Sequence, residues 1–247
     1  MYPYIYKSDS LVIGSYGLML AIAYLLGRWY FLKNLENSRP KINNSEMLII
    51  LLLVFGVVGA KLMFLTKNPL KMDLLLSGTG FSSQGAILGA LLATYLFTLI
   101  QKCKLHQILD NAAPAAILAY TFARVGCFLS GDDCYGIPTD LPWAMSFPQG
   151  IAATSALVHP VPLYEIIYSL LIFVLLVKRQ PLETKPFSQF FLLLLLWGAA
   201  RFLVEFVSSN PKIILSMSGS QFGALLMFIA ACVFFLKAHL SNDKAKT

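Results

Sequence analysis

Long apolar runs separated by short polar connections are the dominant pattern of the chain. Seven runs recur, over about 11–32, 47–66, 83–101, 107–129, 159–178, 188–208 and 215–237. Each holds roughly 20 residues, enough for a helix rising ~1.5 Å per residue to cross a hydrocarbon core of ~30 Å. The predicted fold is therefore an all-α polytopic membrane protein with about seven transmembrane helices. It is read as one integral membrane domain over residues 1–247. Spans four and five are joined by a small extracytoplasmic loop region at about 130–158. No connection exceeds about 30 residues, so no separate soluble domain is visible.

Composition supports this reading. Hydrophobic residues make up 57% and charged residues 13%, with a mean hydropathy of +0.70. A soluble domain is nearer roughly 45–50% apolar and 25% charged. The opening Met1-Tyr2-Pro3-Tyr4 lacks a basic segment, and no small-residue cleavage site follows the first run, so that run is expected to remain a span. The net charge is +7, but the basic residues are dispersed, which disfavours a nucleic-acid partner.

Their distribution orients the chain instead. Arg28, Lys33, Arg39, Lys41, Lys102, Lys104, Lys178, Arg179, Lys185, Lys237, Lys244 and Lys246 fall on one side of the predicted spans. Only Lys7, Lys67, Lys71 and Lys212 fall on the other. The positive-inside rule then puts the N-terminus outside and the C-terminus in the cytoplasm.

The three remaining basic residues, Lys61, Arg124 and Arg201, lie within spans. Charges there normally face a protein interior or a wet cavity. All three sit near the outer ends of their helices, as do Glu165, Glu205, Tyr16 and Gln84. Polar residues from six of the seven helices thus reach one level, which predicts a polar cavity open to the outer leaflet. Arg201 and Glu205 are four residues apart and can pair on one helix face, which is also what a purely structural ion pair would do. Three cations against two acids leave a positive surplus, and the natural anion in an outer leaflet is a phospholipid phosphate. A channel is disfavoured, because the polar residues do not continue through the midplane.

Other features read as architecture. Gly56, Gly59-Ala60, Gly85-Ala86, Gly89-Ala90 and Gly198-Ala199-Ala200 allow close helix packing. Pro114 predicts a kink in span four. Asp110 and Asn111 read as a cap or interfacial pair. The cysteines Cys103, Cys127, Cys134 and Cys232 show no C-x-x-C spacing, so neither a metal nor a cofactor is expected. Cys127 and Cys134 are either two free small residues or a pair on an oxidising side.

The most unusual stretch, Arg124 to Pro148, opens the resemblance. Arg124-x-Gly126-x-Phe128-x-x-Gly131 through Tyr135-Gly136 resembles the signature of the bacterial prolipoprotein diacylglyceryl transferase family. Tyr2-Pro3-Tyr4 with Ser15-Tyr16-Gly17-Leu18-Met19, and Gly59-Ala60-Lys61-Leu62, resemble earlier blocks, the family usually having Arg at Lys61. Leu141 to Pro148, His159-Pro160-x-x-Leu163-Tyr164-Glu165, Arg201-Phe202-x-x-Glu205-Phe206 and Ser216-Met217-Ser218-x-x-Gln221 follow in the family's order. The resemblance implies an enzyme of the bacterial inner membrane. It would move the diacylglyceryl group of phosphatidylglycerol onto the lipobox cysteine of a preprolipoprotein signal peptide, releasing glycerol phosphate. Arg124 and Arg201 would hold the phosphate, Glu205 would orient Arg201, and Tyr16 would contact the headgroup or thiol. Lys61, Gln84, Gly126, Ser130, Gly131, Gly136, His159 and Glu165 would line the substrate site.

The departures bear on chemistry. Gln84 stands at a usual His and cannot act as a base near neutral pH. Cys127 and Ser130 replace usual Asn residues. Asp132-Asp133 stand where one Glu is usual, in a segment one residue longer, and either Asp is a candidate for that Glu. His159 is either a base or a packed residue. These changes keep two alternatives open: a divergent paralogue with another phospholipid donor or acceptor, or a non-catalytic lipid-binding membrane protein.

Overall fold

The computed structural model describes residues 2–8, 12–38, 42–67, 82–180, 185–214 and 216–244. Among them are seven long helices: α1 (Ser15–Glu36), α2 (Ser45–Lys67), α3 (Ser83–Gln101), α4 (Leu105–Ser130), α5 (Val161–Arg179), α6 (Ser188–Val204) and α7 (Gly219–Lys244). Each predicted span corresponds to one of them. Six are long and apolar enough to cross a membrane. The seventh, α1, is long enough but interrupts its apolar run with Arg28 and Lys33. Of the basic residues used for orientation, Arg39, Lys41, Lys71 and Lys246 lie outside the described residues.

The helix ends differ from the apolar runs where short hairpins intervene. β1 (Tyr4–Lys7) pairs antiparallel with β2 (Val12–Gly14), so α1 begins only at Ser15. Ser15 ties that junction, its N–H and hydroxyl both donating to the Pro3 carbonyl at 3.0 and 3.2 Å. β3 (Met145–Phe147) pairs with β4 (Thr154–Val158) in the loop before α5. β5 (Lys212–Ile214) pairs with β6 (Met217–Ser218), which delays α7 to Gly219. Pro160 and Pro162 explain the start of α5, since proline suits the first helical turn, where N–H groups lack intrahelical partners. After α6 the chain tightens into a 3-10 turn, Glu205–Val207. α4 continues through Pro114 to Ser130.

The chain divides into two compact units, Met1–Phe31 with Ala112–Thr247, and Leu32–Asn111. In the first, Ala113 and Ile117 of α4 pack with Ile172 and Leu176 of α5, flanked by Trp197 of α6. Tyr120 meets Trp197 edge-on at 5.7 Å between ring centres. Gly198 lets α6 approach α7, since a methyl there would lie 2.8 Å from the Ala224 carbonyl oxygen. α4 is the most deeply packed of the six spanning-length helices and α7 the least.

In the second unit, α2 and α3 cross at glycines. A Cβ on Gly59 would strike the Gly85 carbonyl, and one on Gly85 the Gly59 carbonyl. Gly89 meets the Phe55 carbonyl in the same way. The small-residue pattern thus does what it predicts, letting two backbones touch without a driving force from water.

Candidate functional site

Glu165 is the centre of the polar interior of the first unit. It sits in the second turn of α5 and is fully buried. Its Oε2 lies 2.7 Å from Nε of Arg124 on α4. Its Oε1 pairs with Nη1 of Arg201 on α6 and accepts a 3.0 Å hydrogen bond from the Tyr120 hydroxyl. Arg201 also pairs through Nη2 with Glu205 Oε2, at 2.7 Å, the i, i+4 contact expected from the sequence. Glu205 Oε1 accepts from Asn210 Nδ2 at 2.7 Å and from the Ser218 hydroxyl. Three helices thus converge on one alternating network of two guanidinium and two carboxylate groups. Unpaired, any of these charges would be costly to bury.

The sequence predicts a surplus of cations that counts Lys61, and Lys61 belongs to the second unit. Within the network the two arginines are balanced by Glu165 and Glu205. Glu165, expected as a substrate contact, bridges both arginines. The arginines also differ in access: the side chain of Arg201 is 9% exposed and that of Arg124 21%. Arg124 stacks its guanidinium over the Tyr120 ring, 4.9 Å from the centroid. Its Nη1 turns to two sulfurs, Cys127 and Cys134, each at 3.7 Å.

The end of α4 shapes the rest. Gly131 adopts φ 59°, the left-handed conformation that ends a helix at low cost for glycine, and its N–H donates to the Cys127 carbonyl at 3.0 Å. Gly126 lets α1 come close, with a methyl there reaching Met19 Cβ at 3.1 Å and the Tyr16 ring at 3.2 Å. Tyr16 is partly exposed and within electrostatic reach of Cys127, Asp132, Arg124 and Cys134. Ser130 is fully buried, its hydroxyl donating to the Cys127 carbonyl at 3.2 Å.

The two adjacent acids separate. Asp133 is exposed and left-handed, φ 68°. Asp132 turns in, and one of its oxygens lies within 4.8 Å of both Cys127 and Cys134 sulfurs. The two thiols are free, and hydrogen bonding to Cys127, followed by burial, pushes the Cys134 thiol above its ordinary range. The sequence reading missed this grouping, because Cys127 and Cys134 lack C-x-x-C spacing. The available signal was an acid between two cysteines straddling a helix-ending glycine.

The loop beyond is stitched to the end of α6. Gly136 N–H donates to the His159 carbonyl at 2.8 Å, and Ile137 N–H to the Val207 carbonyl at 3.0 Å. A methyl on Gly136 would strike the Val207 carbonyl and lie 2.8 Å from His159 Cβ. Gly136→Ala should therefore destabilise this corner by about 1–3 kcal/mol, seen as faster proteolysis of the 131–159 loop. His159 directs Nδ1 to the Tyr164 hydroxyl, 3.2 Å away, which also accepts from Trp143 Nε1 at 2.8 Å. Those contacts fit an anchoring residue.

In the second unit Lys61 is buried on α2, and Gln84 is exposed in the first turn of α3. The Ser82 N–H donates to the Ala60 carbonyl at 3.1 Å, so the two positions come to the same end of this helix pair.

Spanning-length helices around a buried, partly accessible arginine–glutamate network define a polytopic membrane protein with a charged interior. The model of the prolipoprotein diacylglyceryl transferase family matches residues 3–237, and the chain belongs to that family. It is 30% identical to a phosphatidylglycerol–prolipoprotein diacylglyceryl transferase of Clostridium tetani, covering 95% of this chain and 97% of the relative. The protein of the same name from Bordetella avium is 32% identical, over 95% of this chain and 93% of its own. One from Dehalococcoides mccartyi is 30% identical, over 98% and 96%.

Proposed function

We propose that the whole chain acts as one transferase domain that moves the diacylglyceryl group of phosphatidylglycerol to the lipobox cysteine of a preprolipoprotein signal peptide. The observation that carries this reading is the Arg124–Glu165–Arg201–Glu205 network, with Arg124 its more accessible cation. The acceptor S–H must lose its proton, because the thiolate is the nucleophile. Its sulfur attacks the terminal glyceryl carbon, the C–O bond breaks, and glycerol phosphate leaves with the electron pair. A guanidinium aimed at the departing phosphate stabilises charge that grows in the transition state. Arg124 fills that role. Arg201, engaged by two carboxylates, holds Glu165 and through it fixes the Arg124 fork. Glu205 orients Arg201, Tyr16 donates to headgroup or thiol, and Asp132 faces the same end of α4.

In this reading the network opens to the outer leaflet of a bacterial inner membrane, with the N-terminus periplasmic and the C-terminus cytoplasmic, an orientation that the distribution of Lys and Arg supports. The 130–158 region shapes the entry of the signal peptide. Lys61 and Gln84 add polar contacts to the lipid.

The test is transfer by the purified protein in detergent, with labelled phosphatidylglycerol and a lipobox peptide. The expected products are a thioether-linked peptide and free glycerol phosphate. No thioether product, with the protein folded, sinks the reading. A second reading, another donor or acceptor, is favoured by Gln84 and Cys127 at positions where the family usually has His and Asn; it predicts product only with other phospholipids or a hydroxyl acceptor. Gln84→His should be tolerated or raise transfer from phosphatidylglycerol. A strong loss in that variant would speak for the second reading.

A further inference from the structure

The transfer chemistry leaves two sulfurs without a role. Cys127 in the last turn of α4 and Cys134 in the loop beyond bracket Asp132, and one ligand atom from each lies within 4.8 Å of the others. Tetrahedral zinc, with bonds of about 2.3 Å to sulfur and 2.0 Å to oxygen, needs its ligands roughly 3.3–3.8 Å apart. Small side-chain rotations close that gap. Asp132 Oδ1 is buried without a hydrogen-bond partner among the described residues, and the groups its carboxylate faces are the two thiols, whose protons a cation would replace. Arg124 Nη1, 3.7 Å from each sulfur, supplies the outer N–H donor that metal thiolates commonly take.

The charge balance also works. A divalent cation replacing two thiol protons leaves the total charge of the pocket unchanged, so Arg124 and Glu165 keep their pairing. Two thiolates select against magnesium and calcium, which take oxygen ligands.

We propose that Cys127, Asp132 and Cys134 hold a divalent cation of the zinc class with one open coordination position, and that this position takes a thiol. On the transferase reading above, the thiol is that of the acceptor cysteine. Coordination releases its proton to water, because a metal-bound thiol is deprotonated at neutral pH. The sulfur then keeps a lone pair for the glyceryl carbon, and the thioether formed is a weaker ligand and departs. Such a site supplies the thiolate without a histidine, in a chain that carries Gln84.

The test uses the full chain in detergent. Elemental analysis should find about one zinc per chain. Cobalt substitution should give a sulfur-to-metal absorption band of tetrahedral intensity. Cys127→Ser and Cys134→Ser should lose metal and band, while Cys103→Ser and Cys232→Ser keep both. Asp132→Asn should weaken metal affinity at least about tenfold, and Asp133→Asn should not, which separates ligand loss from misfolding. A lipobox peptide should shift the cobalt band, and its Cys→Ser version should not. Less than about 0.1 metal per chain, a Cys127–Cys134 disulfide in the purified protein, or metal retained in both cysteine variants overturns the site. An unshifted band on adding peptide overturns the thiol position. An intact site with no transfer from phosphatidylglycerol counts against the transferase reading alone.

Discussion

Replacing Glu165 by glutamine should destabilise the folded protein by about 3–5 kcal/mol, the cost of removing one partner from a buried ion pair. The effect should be at the upper end because Glu165 serves two cations at once. Its Oε2 faces Arg124, and its Oε1 faces Arg201 and takes the Tyr120 hydroxyl. Glutamine keeps the shape and one acceptor but leaves two guanidinium groups directed at a neutral amide. The measurement is thermal unfolding in detergent, beside Glu205→Gln. The Glu205 change should cost less, since that carboxylate pairs with one arginine only and otherwise accepts from neutral Asn210 and Ser218. Equal, small losses in both variants would show that Glu165 does not organise the interior.

Arg124→Lys should lower transfer at least about a hundredfold, the scale for losing one preorganised donor to a developing anion. The charge is retained, so stability should fall less than in Glu165→Gln. What is lost is the planar fork, which lets Nε pair with Glu165 while Nη1 turns to the sulfurs. Lysine has a single ammonium and cannot serve both. Arg201→Ala should also abolish transfer, but with a large loss of thermal stability, because Glu205 then loses its only cation and Glu165 one of its two. Comparing the rate loss with the stability loss separates the two roles. Full transfer in both variants would remove the arginines from the reaction altogether.

Much of the fold was legible because lipid-spanning segments advertise themselves by length and apolarity. The seven runs coincide with α1 to α7, and the glycines of α2 and α3 lie where the two backbones touch. The starts of α1 and α7 fall later than the apolar runs because hairpins hold residues 12–14, 212–214 and 217–218 by backbone pairing, which leaves no mark on hydropathy. Within the site, the Arg201–Glu205 pair followed from helical spacing alone. The Arg124–Glu165–Arg201 bridge did not, because it joins residues 36 or more positions apart on different helices. The turn at Gly131 that folds Asp132 and Cys134 back toward Cys127 depends on one left-handed residue, which hydropathy does not register.

The position of Glu165 also bears on how the polypeptide is made. As α5 emerges, it carries a carboxylate whose partner on α4 has already been synthesised and whose partner on α6 has not. Released singly into lipid, that helix would expose an ion to hydrocarbon. The insertion machinery should therefore hold α4 until α5 arrives, so that Arg124 and Glu165 enter lipid as a pair, whereas α6 brings its own Arg201–Glu205 pair.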